Sequence, residues 1–305
     1  MPKRLSGSVA SGPRVHPRGG VLGQIALIVA AWLVYSFARS LSGDDVIEAV
    51  RNGRTLLDWD DALGFGWTLE LNQWATSHAA IAVPFAFEYA SLHYVVTPLV
   101  LVWLWRRRPE RYRSALAALI LMSSIGLAVY VLLPVAPPRL LPDSGWVDTM
   151  AAWSHLGWWG GAASAPAGLE GFTDQYAAMP SLHVGWAVWC AWAWRASSNG
   201  FVRRFGWLYP ASIATAVVLT ANHYVLDVAV GALLALACVL LPRSGVGIVR
   251  RVVGVDHVRL GQRRGRRLGL LDLVGHRVQS FVALAHTGIL RRIEQDHERR
   301  VSEPR

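Results

Sequence analysis

Six apolar runs, separated by loops whose charge alternates in sign, constrain this chain more than any other feature. Val21–Ala38 is an 18-residue run without a charged side chain. Ala79–Trp105 is interrupted only by Glu88 and His93, and Ser114–Leu133 by nothing charged. Ser181–Trp194 is short and rich in Trp, Phe205–Ala221 contains Pro210, and Tyr224–Leu241 carries only Asp227. A helix that crosses a bilayer needs about 20 mostly apolar residues. Inside hydrocarbon the backbone must satisfy its own N–H and C=O groups, which a helix does, and an internal proline is tolerated there. The runs predict an all-α, polytopic membrane protein, with a six-transmembrane-helix bundle over residues 21–242. Charged residues make up only 16% of the 305, against about a quarter in an ordinary soluble domain.

Charge sets the expected orientation. Arg106, Arg107, Arg108, Arg111 and Arg113 separate the second and third runs, and Arg195, Arg203 and Arg204 the fourth and fifth. Both tails are basic: Lys3, Arg4, Arg14 and Arg18 lie within residues 1–20, and residues 243–305 hold 14 arginines against six acids. The intervening loops lean acidic. By the positive-inside rule the basic segments are cytoplasmic, so both termini are expected inside and the loops around residues 39–78 and 134–180 outside. Val21–Ala38 could also be the core of a signal peptide. It is long for one, and no small-residue cleavage pattern follows, so it is expected to remain as a span.

Residues 1–20, rich in Gly, Pro and Ser, read as a disordered basic tail. Residues 243–305 mix arginines with Leu268, Leu270, Leu273, Val274, Val278, Phe281 and Val282, the pattern of a partly amphipathic cytoplasmic segment. The expected partner of this positive charge is anionic lipid of the inner leaflet; no nucleic-acid-reading motif accompanies it, so nucleic acid is not expected. Segment 42–78 is too polar to span and predicts short helices on the outer surface. Residues 134–180, which hold Pro134, Pro137, Pro138, Pro142 and Pro166 with several glycines, predict a long outer loop with little regular structure. Cys190 and Cys238 sit in apolar runs and read as buried thiols.

Two histidine motifs lie 40 residues apart: Met179-Pro180-Ser181-Leu182-His183 and Asn222-His223-Tyr224-Val225-Leu226-Asp227. The expected orientation, drawn from arginines elsewhere, brings both to the outer face. His223 and Asp227 have helical i,i+4 spacing. A carboxylate holding the proton on one ring nitrogen leaves the other nitrogen basic, the logic of an activated nucleophile, and His183 is available as the complementary acid. Ser181 reads as a helix N-cap, and free N–H groups at a helix start suit a phosphate. Arg139, the only arginine of the long loop, is the candidate phosphate clamp. Glu88 and His93, ionisable groups within a span, are candidates for a headgroup contact or for an inward-facing stabilising pair. Asp148, with Asp143, could hold polyol hydroxyls or be a solvated loop acid. Trp153, Trp158, Trp159, Trp186 and Trp189 read as an interfacial belt.

These residues resemble the type 2 phosphatidic acid phosphatase superfamily, whose pattern is a basic motif, then Pro-Ser-x-His, then His-x-x-x-Asp. Ser181-Leu182-His183 together with His223-Tyr224-x-x-Asp227 looks most like the inositol phosphorylceramide synthase branch and its bacterial relatives. The resemblance covers about residues 80–242. It implies that His223 attacks phosphorus to form a phosphohistidine, that Asp227 orients it, and that His183 protonates the leaving oxygen. It further implies a membrane lipid phosphoester as substrate and no metal or cofactor. Ala216-Val217 stand where the general pattern has Ser-Arg, and Arg139 is followed by Leu140 instead of Pro. An alcohol as acceptor would make the chain an inositolphosphotransferase-like enzyme, water a lipid phosphate phosphatase. Classes of another kind are a membrane cytochrome with axial histidines and a non-enzymatic lipid transporter or scaffold.

Overall fold

The computed structural model describes residues 46–159, 175–196 and 199–240. The predicted first span, the two tails and part of the long outer loop lie outside the described residues. Among those described, every named element is helical, and Val135 and Ala177 form an isolated parallel bridge. The all-α expectation holds.

Two helices from the polar segment come first, α1 (Val46–Ala62) and α2 (Trp67–Thr76). Then α3 (Ala79–Arg107) and α4 (Pro109–Leu132) form an antiparallel pair. They turn at Arg108, and Pro109 opens α4 at a position where a missing N–H costs nothing. Both are long and apolar enough to cross a membrane. The long loop holds two 3-10 turns, Pro138–Leu140 and Ser154–Leu156, and the four-residue α5 (Thr149–Ala152). The remaining helices are α6 (Leu182–Trp194), α7 (Gly200–Phe205), α8 (Leu208–Leu219) and α9 (Val225–Leu240).

Helices therefore form in the last five of the six predicted runs. At 1.5 Å per residue, however, α6, α8 and α9 are only about 20, 18 and 24 Å long, short of the roughly 30 Å hydrocarbon core. For α8 a physical stop is visible at its C-terminal end. Ala221 takes a left-handed φ of 54°. Asn222 N–H then bonds the Val217 carbonyl, and Ala221 N–H that of Val218, both at 3.0 Å. This is a Schellman stop with alanine in the place usually held by glycine, a conformation that costs about 1–2 kcal/mol. The stop ends α8 at Leu219, two residues before the predicted run ends at Ala221.

A large core joins α3, α4, α6, α8 and α9, and a smaller one (Ala49, Leu56, Val135, Ala136, Leu141, Ala178, Tyr224) packs α1 against the long loop. Gly185 of α6 and Gly231 of α9 let these helices touch; a Cβ on Gly231 would collide with the Ser181 carbonyl oxygen. The tryptophan belt needs correction. Trp159 and Trp189 are buried in the core, donating to the carbonyls of Met150 (2.8 Å) and Ala115 (2.9 Å). Cys190 and Cys238 are buried free thiols, as expected.

Candidate active site

Both histidine motifs start helices. Ser181 is the N-cap of α6, its hydroxyl accepting from Val184 N–H, and is itself fully buried. His183 therefore falls in the first turn of α6. The second motif enters α9 through a different cap. His223 precedes the helix, so it and Asp227 do not meet as two residues of one helical face. Instead the Asp227 carboxylate reaches back to Tyr224 N–H at 3.0 Å, the return half of a capping box. The same Oδ2 then lies 3.4 Å from His223 Nδ1.

A closer partner for that nitrogen is the Ala178 carbonyl oxygen, at 2.8 Å. A carbonyl can only accept, so Nδ1 carries the proton and Nε2 is the bare, basic nitrogen. Ala178 leads directly into the first motif, and Ser181 N–H in turn donates to the Asp227 carbonyl at 3.1 Å. Two backbone-anchored bonds thus stitch the motifs together. The rings of His183 and His223 come within 5.7 Å, centroid to centroid. Tyr130 of α4 steadies the first motif by donating to the Pro180 carbonyl at 2.6 Å.

Arg139 lies beside this pair. Its Nε donates to Asn222 Oδ1 at 3.0 Å and its Nη1 to Asp148 Oδ2 at 2.7 Å, with the side chain only 4% exposed. Neither of these bonds uses Nη2. Asp148 also caps α5 by accepting from Ala151 N–H. Its carboxylate therefore holds the arginine that the long loop brings to the site. Burial, opposed by the Ala178 hydrogen bond and reinforced by the Arg139 charge, lowers the His223 pKa from 6.5 to about 4. With its pKa lowered to about 4, His223 is neutral at ordinary pH.

His93 of α3 joins the cluster, its ring 4.4 Å from that of His183. Glu88 does not pair with it. Five residues apart on a helix, the two point about 140° from one another, and Glu88 Oε1 is buried with no hydrogen-bond partner among the described residues.

Sequence reasoning missed two residues on which this geometry depends. Asp60 of α1, 2% exposed, accepts from Val225 N–H (2.7 Å) and Leu226 N–H (3.0 Å), capping α9 across 165 positions of chain. Burial raises its pKa, and the two N–H donors oppose that shift. Asn72 of α2 is fully buried, donates to the Leu219 carbonyl at 2.8 Å and accepts from Val147 N–H at 2.9 Å, tying the end of α8 to the long loop. Nothing in the Asp58–Asp61 acidic run or in an isolated Asn marks either one out.

Comparison with known proteins adds the family. The PAP2 superfamily model matches residues 54–241, more than half of the chain and all of the elements that build this site. Among curated proteins no match was found. The crystal structure of LpxE from Aquifex aeolicus is similar at 22% identity and a TM-score of 0.43, over 58% of this chain and 95% of that one. With the family model spanning both histidine motifs and the arginine loop, the chain belongs to the PAP2 superfamily, as a phosphatase-type enzyme of lipid phosphoesters.

Proposed function

We propose that this protein is a multi-pass membrane enzyme that cleaves a lipid phosphoester at the extracytoplasmic face through a phosphohistidine on His223. The observation that carries the reading is the Ala178 carbonyl, which keeps the proton on Nδ1 and leaves Nε2 bare, on a ring whose centroid lies 5.7 Å from that of His183. Nε2 attacks phosphorus. The bond from phosphorus to the lipid oxygen breaks, and that oxygen takes a proton from His183. An acceptor hydroxyl then gives its proton to His183 as its oxygen attacks the same phosphorus. The N–P bond breaks, and His223 returns to its starting form. His183 acts as acid in one half and base in the other, as microscopic reversibility requires. Arg139 offsets charge developing on the phosphoryl oxygens, and Asp148 and Asn222 hold it in place.

Two acceptors fit this cycle. Water makes the enzyme a lipid phosphate phosphatase, acting on phosphatidate or a polyprenyl phosphate. The Ser-Leu-His and His-Tyr-x-x-Asp variants support a polyol acceptor, the inositolphosphotransferase-like reading. Incubating the purified protein with phosphatidate, polyprenyl phosphate or phosphatidylinositol, with and without a polyol, and analysing both products separates them. Free phosphate identifies water, and a phosphorylated polyol the transferase. His223→Ala is expected to abolish both reactions while leaving the protein folded. The trapped intermediate is expected to be acid-labile and base-stable. Near wild-type turnover by His223→Ala, or phosphate trapped on Ser181, would rule the mechanism out.

A further inference from the structure

We propose that Tyr89 and His93 of α3 form an aromatic clamp that positions His183 as proton donor, so that His93 serves His183 and not the substrate. The proposal rests on the reading of His183 as the acid. Neither residue belongs to either histidine motif. Four positions apart, they share one face of α3, and both are buried, at 8% and 6% exposure. Tyr89 stacks on the His183 ring at 4.5 Å and 29°, and His93 meets it edge-on at 4.4 Å and 79°. His223 closes a third side at 5.7 Å and 62°.

This arrangement does two things that the helix start alone does not. A histidine in the first turn of α6 is free to choose among rotamers; a ring held on three sides by other rings is not. The donor must also carry a proton in a half-buried setting. The face of Tyr89 presents the negative side of its ring quadrupole to that imidazolium, a cation–π contact that strengthens as water is excluded. His93 helps only while neutral, because a second cation there would repel the first. The titratable and charged groups around His183 are Tyr89 and His93 from α3, and His223 from the turn before α9, with Arg139 and Asp227 beyond it. Of these, His223 stays neutral and Arg139 is fixed on Asp148. The negative charge that would call a proton onto His183 arrives with the phosphate.

The test compares two leaving groups in the full-length protein, using phosphatidate in mixed micelles and p-nitrophenyl phosphate. The first needs a proton on its departing oxygen; the second hardly does. A lost general acid costs about 10²- to 10⁴-fold where protonation is needed, and a misaligned one part of that. His93→Ala and Tyr89→Leu are expected to lower kcat on phosphatidate by about tenfold or more, with KM unchanged, and to change p-nitrophenyl phosphate turnover by less than about threefold. His93→Phe, which keeps a neutral ring, is expected to recover most of the loss. If His93→Ala instead raises KM on both substrates with kcat held, His93 is a substrate ligand and the clamp is wrong. Full phosphatidate turnover by both His93→Ala and Tyr89→Leu sinks it as well, as does a His93→Phe variant as poor as His93→Ala. His183→Ala checks the underlying reading. If its loss on phosphatidate is not relieved by the better leaving group, His183 is not the acid, and the failure belongs there.

Discussion

His223 is held by two acceptors of unequal standing, and this sets what each neighbour is worth. Where a carboxylate alone fixes the tautomer of a catalytic histidine, replacing it with the amide costs about 10⁴-fold in rate. Here the Ala178 carbonyl, at 2.8 Å against 3.4 Å for Asp227, still requires the proton on Nδ1. Asp227→Asn is therefore expected to lose only about 10- to 100-fold in kcat, its cost coming from the lost carboxylate charge and not from a flipped tautomer. Single-turnover rates of phosphohistidine formation would check this, and a loss near 10⁴-fold would assign the orienting role to Asp227 alone. The pKa of His223 supplies a second prediction at this scale. The folded protein holds it near 4, below its ordinary 6.5. As acid is added, protons bind the unfolded chain first, so His223's contribution to stability is whole above about pH 6.5 and is lost as pH falls toward about 4. The acid limb of kcat/KM for the free enzyme is expected in the same low range. Arg139→Gln removes a cation that depresses this pKa, so the limb should move toward neutral pH while the maximal rate drops. A limb that stays in place would mean that the Arg139 charge does not reach His223.

At the scale of elements, the site exists because α6 and α9 approach closely enough for Ser181 N–H to reach the Asp227 carbonyl. Two glycines allow this, and they are not equivalent. A methyl at Gly185 would press first on the Met122 sulfur at 3.0 Å, a flexible side chain that can yield. A methyl at Gly231 would strike the Ser181 backbone, which cannot move without moving the first motif. Gly231→Ala is therefore expected to destabilise by about 1–3 kcal/mol, the usual cost of overpacking, and to lose most activity. Gly185→Ala should cost less on both counts, and thermal unfolding with turnover assays would rank them. Elements also explain what the sequence made legible. α3, α4 and the start of α6 were readable because run length, arginine flanks and the Ser181 cap are local signals. The approach of His183 to His223 was readable through charge, since the arginine loops fix which helix ends lie together. The Ala178 carbonyl was not, because a backbone acceptor has no residue signature. Asp60 was not either, because its partners are 165 and 166 positions away. The tryptophans misled because their composition suits an interface, while burial of Trp159 and Trp189 depends on packing that no local pattern encodes.

For the whole molecule, the open question with most consequence is which side of the membrane holds the site, and α4 connects the two ends of the argument. Its last turn carries Tyr130, bonded to Pro180 at the site, while its first turn follows Arg106–Arg108 and includes Arg111. With 24 residues, α4 places that arginine cluster about 36 Å from the site end of the bundle. This exceeds the roughly 30 Å of hydrocarbon, so the cluster and the site belong on opposite faces if α4 crosses. Lys and Arg in short loops favour the cytoplasm, so the site is expected outside. Asp143 and Ser144, in the loop that also carries Arg139, go with it. Cysteines placed at Ser144 and Ser114 in a Cys190→Ala, Cys238→Ala background, probed in intact cells with a membrane-impermeant thiol reagent, read this directly. Position 144 is expected to label, and position 114 only after the cells are opened. The reverse pattern would turn the bundle over and make the enzyme act on inner-leaflet lipid. The proposed chemistry would be unchanged, because the Ala178 and Asp227 contacts that hold His223 do not depend on which way α4 crosses.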